Sequence, residues 1–426
     1  ERIAAAQLKK DLYFVSSDEM AGRDTPSPGL DATAKFLAER LKSAKLKPAG
    51  DDNTYFQTIE MRSNKVDAAQ TRAEMGGKTF RYGEDFLIAT TSGTASGALV
   101  YAGHGWVIPS KNIDAYQGVD VRDKIVIVSA GFPQGIERGA LGNTITDAEN
   151  PASAAQKRGA RGVIMITNYP DFDRWWSARR RSLERSRPDI VRFQERDGTE
   201  SKTQLPTIMP SVAMLNTIFD GEQQSAAEIM RNTVAGTAPE AFELAPQKRI
   251  TFTVNVANVS INTQNVVAVL EGKDSVLKNE YVAVGAHYDH VGVGQAVNGD
   301  SIYNGADDDG SGTVAVLALA EALARAPRPR RSILFVWHSG EEKGLKGSEY
   351  FVEYPTVPLN TIVAQFNIDM IGRSKKPSDQ NPRNSGLTGP SEIYVIDSKM
   401  MSAALGELSE RVNKSYLNLS FNYMYD

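Results

Sequence analysis

Short, nearly continuous apolar runs recur in the second half of the chain, at 266–270, 281–286, 332–337 and 362–368, with a helix-length apolar stretch at 311–326 between the second and third. Strands without polar alternation are buried on both faces, so this order predicts an α/β unit with a mixed, mostly parallel sheet flanked by helices. The first 45 residues have helical periodicity over 3–15 and 30–42, separated by the turn-rich stretch 22–29. Positions 55–95 alternate as strands do, with Met75-Gly76-Gly77-Lys78 as a hairpin turn. From 96 to 246 the runs are shorter and punctuated by Gly and Pro, with strands at 98–101 and 124–129 and a helix–strand unit at 151–158 and 162–167. The expected organisation is a discontinuous domain, 1–95 with 247–426, interrupted by a β-rich insertion at 96–246.

The polar residues at the ends of the buried runs carry the chemistry. The run at 281–286 ends in His287-Tyr288-Asp289, that at 332–337 in His338-Ser-Gly-Glu341-Glu342, and that at 362–368 in Asp369. Ligands of open α/β sheets bind beyond the carboxyl ends of the strands, and packing alone does not call for acids there. A fourth element, Asn304-Gly-Ala-Asp307-Asp308-Asp309-Gly-Ser311-Gly312, feeds the helix at 311–326. One acid would cap that helix, but three in a row repel one another unless a cation or several donors lie nearby. The chain has no cysteine, so any metal here is held by imidazole and carboxylate, a donor set that suits zinc. A carboxylate such as Asp308 has two oxygens and can bridge two ions. Adjacent Glu341 and Glu342 point apart in an extended chain, so one can bind metal while the other faces water.

His287-x-Asp289, Gly305-Ala-x-Asp308 with Ser311-Gly312, Glu341-Glu342 with Gly344-x-x-Gly347-Ser348, and Asn367-Ile-Asp369-Met370 resemble, in order and spacing, the motifs of M28 zinc aminopeptidases. Met20-Ala-Gly22-Arg23 is similar to the family's N-terminal segment, and 96–246 to an inserted protease-associated (PA) domain. The resemblance implies a zinc-exopeptidase-like fold and two Zn²⁺ ions. His287 and Asp369 would hold one, Glu342 the other, and Asp308 would bridge them. Asp289 would orient His287, and Glu341 would be the general base. It also implies a peptide substrate cleaved at its N-terminus, although similar sites release C-terminal glutamate, and receptor-like relatives with a PA domain have lost the metal site. The family's fifth ligand, a histidine in a Ser-Asp-His context, has no counterpart after Asp369, because the four histidines stand at 104, 287, 290 and 338. The expectation is that the chain stops at Asp426 before that motif.

His290 is expected to be a hydrogen-bonding neighbour rather than a ligand, and His104 a structural residue. The glycines of 291–299 read as a mobile cleft loop without a dinucleotide fingerprint, and no Gly-x-Ser-x-Gly elbow surrounds Ser339. Eight arginines against three acids at 174–196, beside Trp175 and Trp176, read as a solvated helical excursion. A formal net charge of -4 gives no footprint for nucleic acid. No run is long enough to span a bilayer, and a removed signal peptide with a secreted or periplasmic location fits a start at Glu1.

Overall fold

Ser27 accepts a hydrogen bond from the Leu30 amide and Pro28 occupies the first turn, so the chain enters helix there, and Leu30, Ala34, Leu37 and Leu41 then fall on one buried stripe. In this computed structural model, which describes residues 3–88, 92–184, 188–196 and 205–426, that helix belongs to the first of two compact units, 1–60 with 261–426. The second unit is 61–260.

The first unit contains helices α1 (Ala5–Val15) and α2 (Pro28–Ser43), residues 56–60 of strand β1 (Phe56–Val66), residues 261–270 of strand β2 (Val256–Leu270) and strand β3 (Tyr281–His287). Helix α3 (Gly312–Ala324), strand β4 (Ser332–His338), helix α4 (Lys346–Glu353), strand β5 (Ile362–Asn367) and helix α5 (Ala403–Tyr416) follow. Among the described residues the sheet has seven strands, five of them in the order β1-β2-β4-β3-β5, with the short strands Asp189–Ile190 beside β1 and Lys47–Pro48 beside β2. It is mixed: β3 pairs in parallel with both β4 and β5, whereas β2 and β4 are antiparallel, so parallel pairing is narrower than the sequence suggested. Alternate side chains leave on opposite faces. Val266, Ala268, Phe335 and Trp337 pack with Leu37 of α2 and Leu317 of α3, while Val267, Leu334 and Val336 pack with Phe351 of α4. Covering both faces excludes water from β4 and the adjoining parts of β2 and β3, whereas β5, expected from its apolar run to be buried on both faces, is largely exposed, with Val363 at 51% and Phe366 at 42%. Because β3, β4 and β5 are parallel, their carboxyl ends emerge along one edge.

In the second unit a nine-stranded sheet, counted among the described residues, has Gly93–Tyr101, Ile125–Ser129 and Gly162–Ile166 at its centre. Ile125 and Ile127 join one core and Val126 and Val128 another, as a two-faced strand requires. The hairpin expected at Gly76-Gly77 is present, both glycines having φ above zero. Strands Arg72–Met75 and Arg249–Val254 pair into this same sheet, so the unit reaches beyond 96–246 on both sides. His104 accepts a hydrogen bond from the Trp106 amide at 3.1 Å. The arginine-rich stretch is helical at Phe172–Glu184 and Val191–Arg196, where Phe172 stacks on Trp176; residues 185–187 lie outside the described residues. Among the described residues no helix is long and apolar enough to cross a membrane.

Candidate metal centre

Strand β3 delivers His287 at its last position, directly across from His338 at the end of β4. The His287 ring is buried, and its two nitrogens face different partners. On one side Nδ1 lies 3.2 Å from the Asp289 main-chain oxygen and 3.6 Å from that residue's carboxylate. On the other, Nε2 lies 3.1 Å from Asp308 Oδ1, 3.6 Å from Asp369 Oδ2 and 4.0 Å from Glu341 Oε2. All six residues singled out from sequence, at 287, 289, 308, 341, 342 and 369, therefore converge on one edge of the sheet.

The Asp289 carboxylate has a further task. It is fully buried and accepts from the main-chain N–H groups of Glu341, at 3.1 Å, and of Glu342, at 3.4 Å. It thus sets the path of the loop after β4 that carries both glutamates, in addition to facing His287.

Asp308 and Asp309 sit in the π-helical turn Ala306–Ser311 that leads into α3, joined by a cis peptide bond. Asp309 turns inward and accepts from the amides of Gly312, at 2.9 Å, and Met370, at 3.2 Å. It ties the acidic turn to the end of β5, where Asp369 emerges. Asp308 turns to the cleft. Gly305, at φ 62°, opens this turn, and a Cβ there would meet both the Asp308 oxygen and the His290 ring at 2.6 Å. Only glycine lets the turn close under that ring.

His290, expected to be a hydrogen-bonding neighbour, lies among the acids of this centre. Its Nδ1 lies 2.7 Å from Glu342 Oε1 and 4.0 Å from Asp308 Oδ2. Two groups of donors result, His287 with Asp308 and Asp369, and His290 with Asp308 and Glu342; within each the donor atoms lie within 4.8 Å of one another, and Asp308 is common to both. A hint was present in the spacing: in His287-x-Asp289-His290 the chain leaves β3 and folds back over the turn at Gly305, a contact the linear sequence does not display.

Acid repulsion and burial dominate the electrostatics. Burial disfavours a charge on His287, but hydrogen bonds to Asp289 and Asp308, with the nearby Asp289 and Asp309 charges, override it and raise its pKa to about 11. Asp309 is pushed up to about 8, first by burial and then by the charge of Asp369. Burial also raises Glu341, Glu342 and Asp369, whereas the His287 contact lowers Asp308. Such a cluster stabilises a cation.

The donors also fit zinc on geometric grounds. His290 Nδ1 and Glu342 Oε1 are buried and lie 2.7 Å apart, an imidazole–carboxylate pair. Both atoms also offer lone pairs that a cation beside them could share once the imidazole is neutral. Imidazole nitrogen and carboxylate oxygen without sulfur are suitable zinc ligands.

Residues 265–418, which hold β3 to β5 and every residue of this centre, match the model of peptidase family M28. An aminopeptidase of Pseudomonas aeruginosa is 33% identical over 161 residues, 37% of this chain and 28% of that protein. Leucine aminopeptidase 2 of Trichophyton equinum is 30% identical over 160 residues, 36% of this chain and 30% of that protein. The chain thus matches less than a third of the length of these curated relatives. Among solved structures, a zinc aminopeptidase from Bacillus subtilis is similar over 99% of this chain and 80% of its own, with 18% identity and a TM-score of 0.47. On the family match and the two curated relatives, residues 265–418 are a peptidase family M28 domain.

Proposed function

We propose that this protein is a zinc-dependent aminopeptidase that holds two metal ions in the paired donor groups and removes N-terminal residues from peptides. The observation that carries the proposal is the pair of triads sharing Asp308, with Glu341 4.0 Å from His287 and belonging to neither. His287 and Asp369 would hold one ion, Glu342 and His290 the other, and Asp308 would bridge them.

Zinc bound in these groups supplies Lewis-acid polarisation of a carbonyl and brings the pKa of a bound water toward neutrality. The chain's own residues do the rest. Glu341, half-buried and with its pKa raised, accepts the proton of the attacking water and returns it to the leaving amine. Asp289 keeps Glu341 and Glu342 on their divergent paths through the two amides it binds. The main-chain oxygen of Asp289 fixes the Nδ1 side of His287, so that Nε2 faces the other donors. Asp309 holds the acidic turn against the end of β5.

Within the same proposal the unit at 61–260 is the counterpart of a PA insertion, which would govern access or partner contacts. Family membership of 265–418 supports the peptidase reading, and the aminopeptidase names of the matched relatives favour N-terminal release over C-terminal release.

The test is elemental analysis of the purified protein together with hydrolysis of aminoacyl-p-nitroanilides and of peptides with blocked N-termini. Two zinc ions per chain and cleavage that requires a free α-amine are expected. A protein that takes up no zinc and hydrolyses none of these substrates would refute the proposal.

A further inference from the structure

Arg23 is fully buried, and its guanidinium makes no hydrogen bond to a carboxylate. It donates instead to main-chain oxygens of three separate segments: Nε to Tyr288 at 2.9 Å, Nη1 to Asn304 at 2.9 Å and to Val15, and Nη2 to Gly305 at 2.8 Å. Two of those segments carry the donor groups, one through His287, Asp289 and His290, the other through Asp308. The main chain of the same stretch completes the attachment. Arg23 O accepts from the His290 amide at 3.0 Å, and Gly22 O from the Gly292 amide at 3.0 Å. Thr25 Oγ1 accepts from the Gly340 amide at 3.0 Å, and Asp24 pairs with Lys343 at 2.6 Å, both on the loop that bears Glu341 and Glu342.

Burying a guanidinium without a paired carboxylate is expensive, and so is the backbone that presents it. Ala21, Gly22 and Arg23 are consecutive left-handed residues, with φ of 46°, 70° and 47°. The non-glycine residues among them are strained by their Cβ atoms. Strain of this kind persists where the surroundings over-determine it, and it clusters at functional sites. Burial lowers the Arg23 pKa to about 10, against the charges of Asp289, Asp309 and Asp308, so the group stays cationic at neutral pH. Five donors in a rigid fork are suited to three carbonyl-bearing segments at once, which lysine with its single ammonium cannot match.

We propose that Arg23 is a positioning residue of the metal centre, and that the segment 22–25 clamps three of the four segments that carry its donors, all but the end of β5, into the register both metal groups require. This rests on the zinc reading above. The clamp acts through Tyr288, Asn304 and Gly305 and touches neither metal nor substrate.

The experiment compares cobalt-substituted wild type with Arg23→Gln, Arg23→Lys, Thr25→Val and the core control Leu37→Ala. Stoichiometry, the visible ligand-field spectrum, kcat and KM, and the melting temperature are recorded for each. Arg23→Gln is expected to bind less than two cobalt ions per chain with an altered spectrum, and to lose about 10²-fold in kcat at near-constant KM, the scale associated with a misplaced catalytic group. Arg23→Lys keeps the charge without the fork and is expected not to restore the spectrum. Leu37→Ala lowers the melting temperature and leaves the spectrum unchanged. Should Arg23→Gln fail to fold, Thr25→Val, which loosens only the loop carrying the glutamates, reads the same signature in weaker form. Wild-type cobalt spectra in both Arg23→Gln and Thr25→Val would overturn the clamp. A wild-type protein that binds no cobalt would overturn the zinc reading and the clamp with it.

Discussion

Replacing Glu341 by Gln exchanges a proton acceptor for an isosteric amide that cannot accept a proton, while Asp289 still binds the main-chain amide at that position. The donor groups are untouched. Turnover is therefore expected to fall by about 10²–10⁴-fold, the usual contribution of a general base, with metal content unchanged. Near-normal kcat in Glu341→Gln would remove this residue from the mechanism. His290→Ala asks the complementary question. It deletes one donor from the group shared with Asp308 and Glu342 and leaves His287 and Asp369 in place. Dialysis against a weak chelator is expected to strip one ion from this variant and spare the other, whereas His287→Ala, on the other group, spares the ion of the His290 group. Two ions retained with equal tenacity by His290→Ala would return that histidine to the neighbour's role expected from sequence.

At the scale of elements, the join between the acidic turn, α3 and the end of β5 decides whether the centre forms. Gly312 opens α3, where alanine is intrinsically favoured over glycine by about 1 kcal/mol. A Cβ there would nevertheless lie 2.1 Å from the Ile368 oxygen and 2.5 Å from Asp309 Oδ2. Overlap with backbone and with a buried carboxylate cannot be relieved by a flexible side chain. Gly312→Ala is therefore expected to lower the melting temperature and to displace Asp369, reducing both metal occupancy and kcat; a more stable, fully active variant would show that helix propensity wins. β3 and β4 were legible because burial on both faces leaves a continuous apolar run, and acids at the end of such a run have no packing role; β5 shows the same run although it is largely exposed. His290 and Arg23 were not legible in the same way. The contact of His290 with Glu342 depends on how two loops fold over Gly305, and the partners of Arg23 are main-chain oxygens, which every residue carries and no sequence marks. The extent of the second unit was obscured for a related reason: alternation over 72–81 shows a strand pair but not the sheet it joins, and the register with 249–254 places it there.

At the scale of the whole molecule, the proposed zinc centre is expected to make the stability of the first unit depend on cation. Without metal, Asp308, Asp309, Glu341, Glu342 and Asp369 crowd one sheet edge with His287 and Arg23 as the nearby positive groups, and burial has raised most of these carboxylates. A ligand that binds only the folded state adds stability in proportion to the logarithm of its concentration over its dissociation constant, about 4 kcal/mol at a thousandfold excess. For a domain-sized unit each kcal/mol shifts the melting temperature by about 2–4 °C. Chelation is thus expected to lower the first unit's transition by roughly 8–16 °C at such an excess. The unit at 61–260 holds none of the donors and has its own cores, so its transition should not respond. A calorimetric scan with and without chelator separates the two. A single transition insensitive to chelator and to added zinc would mean that the acids at the strand ends are balanced by the protein's own cations, and the metal assignment would fall with it.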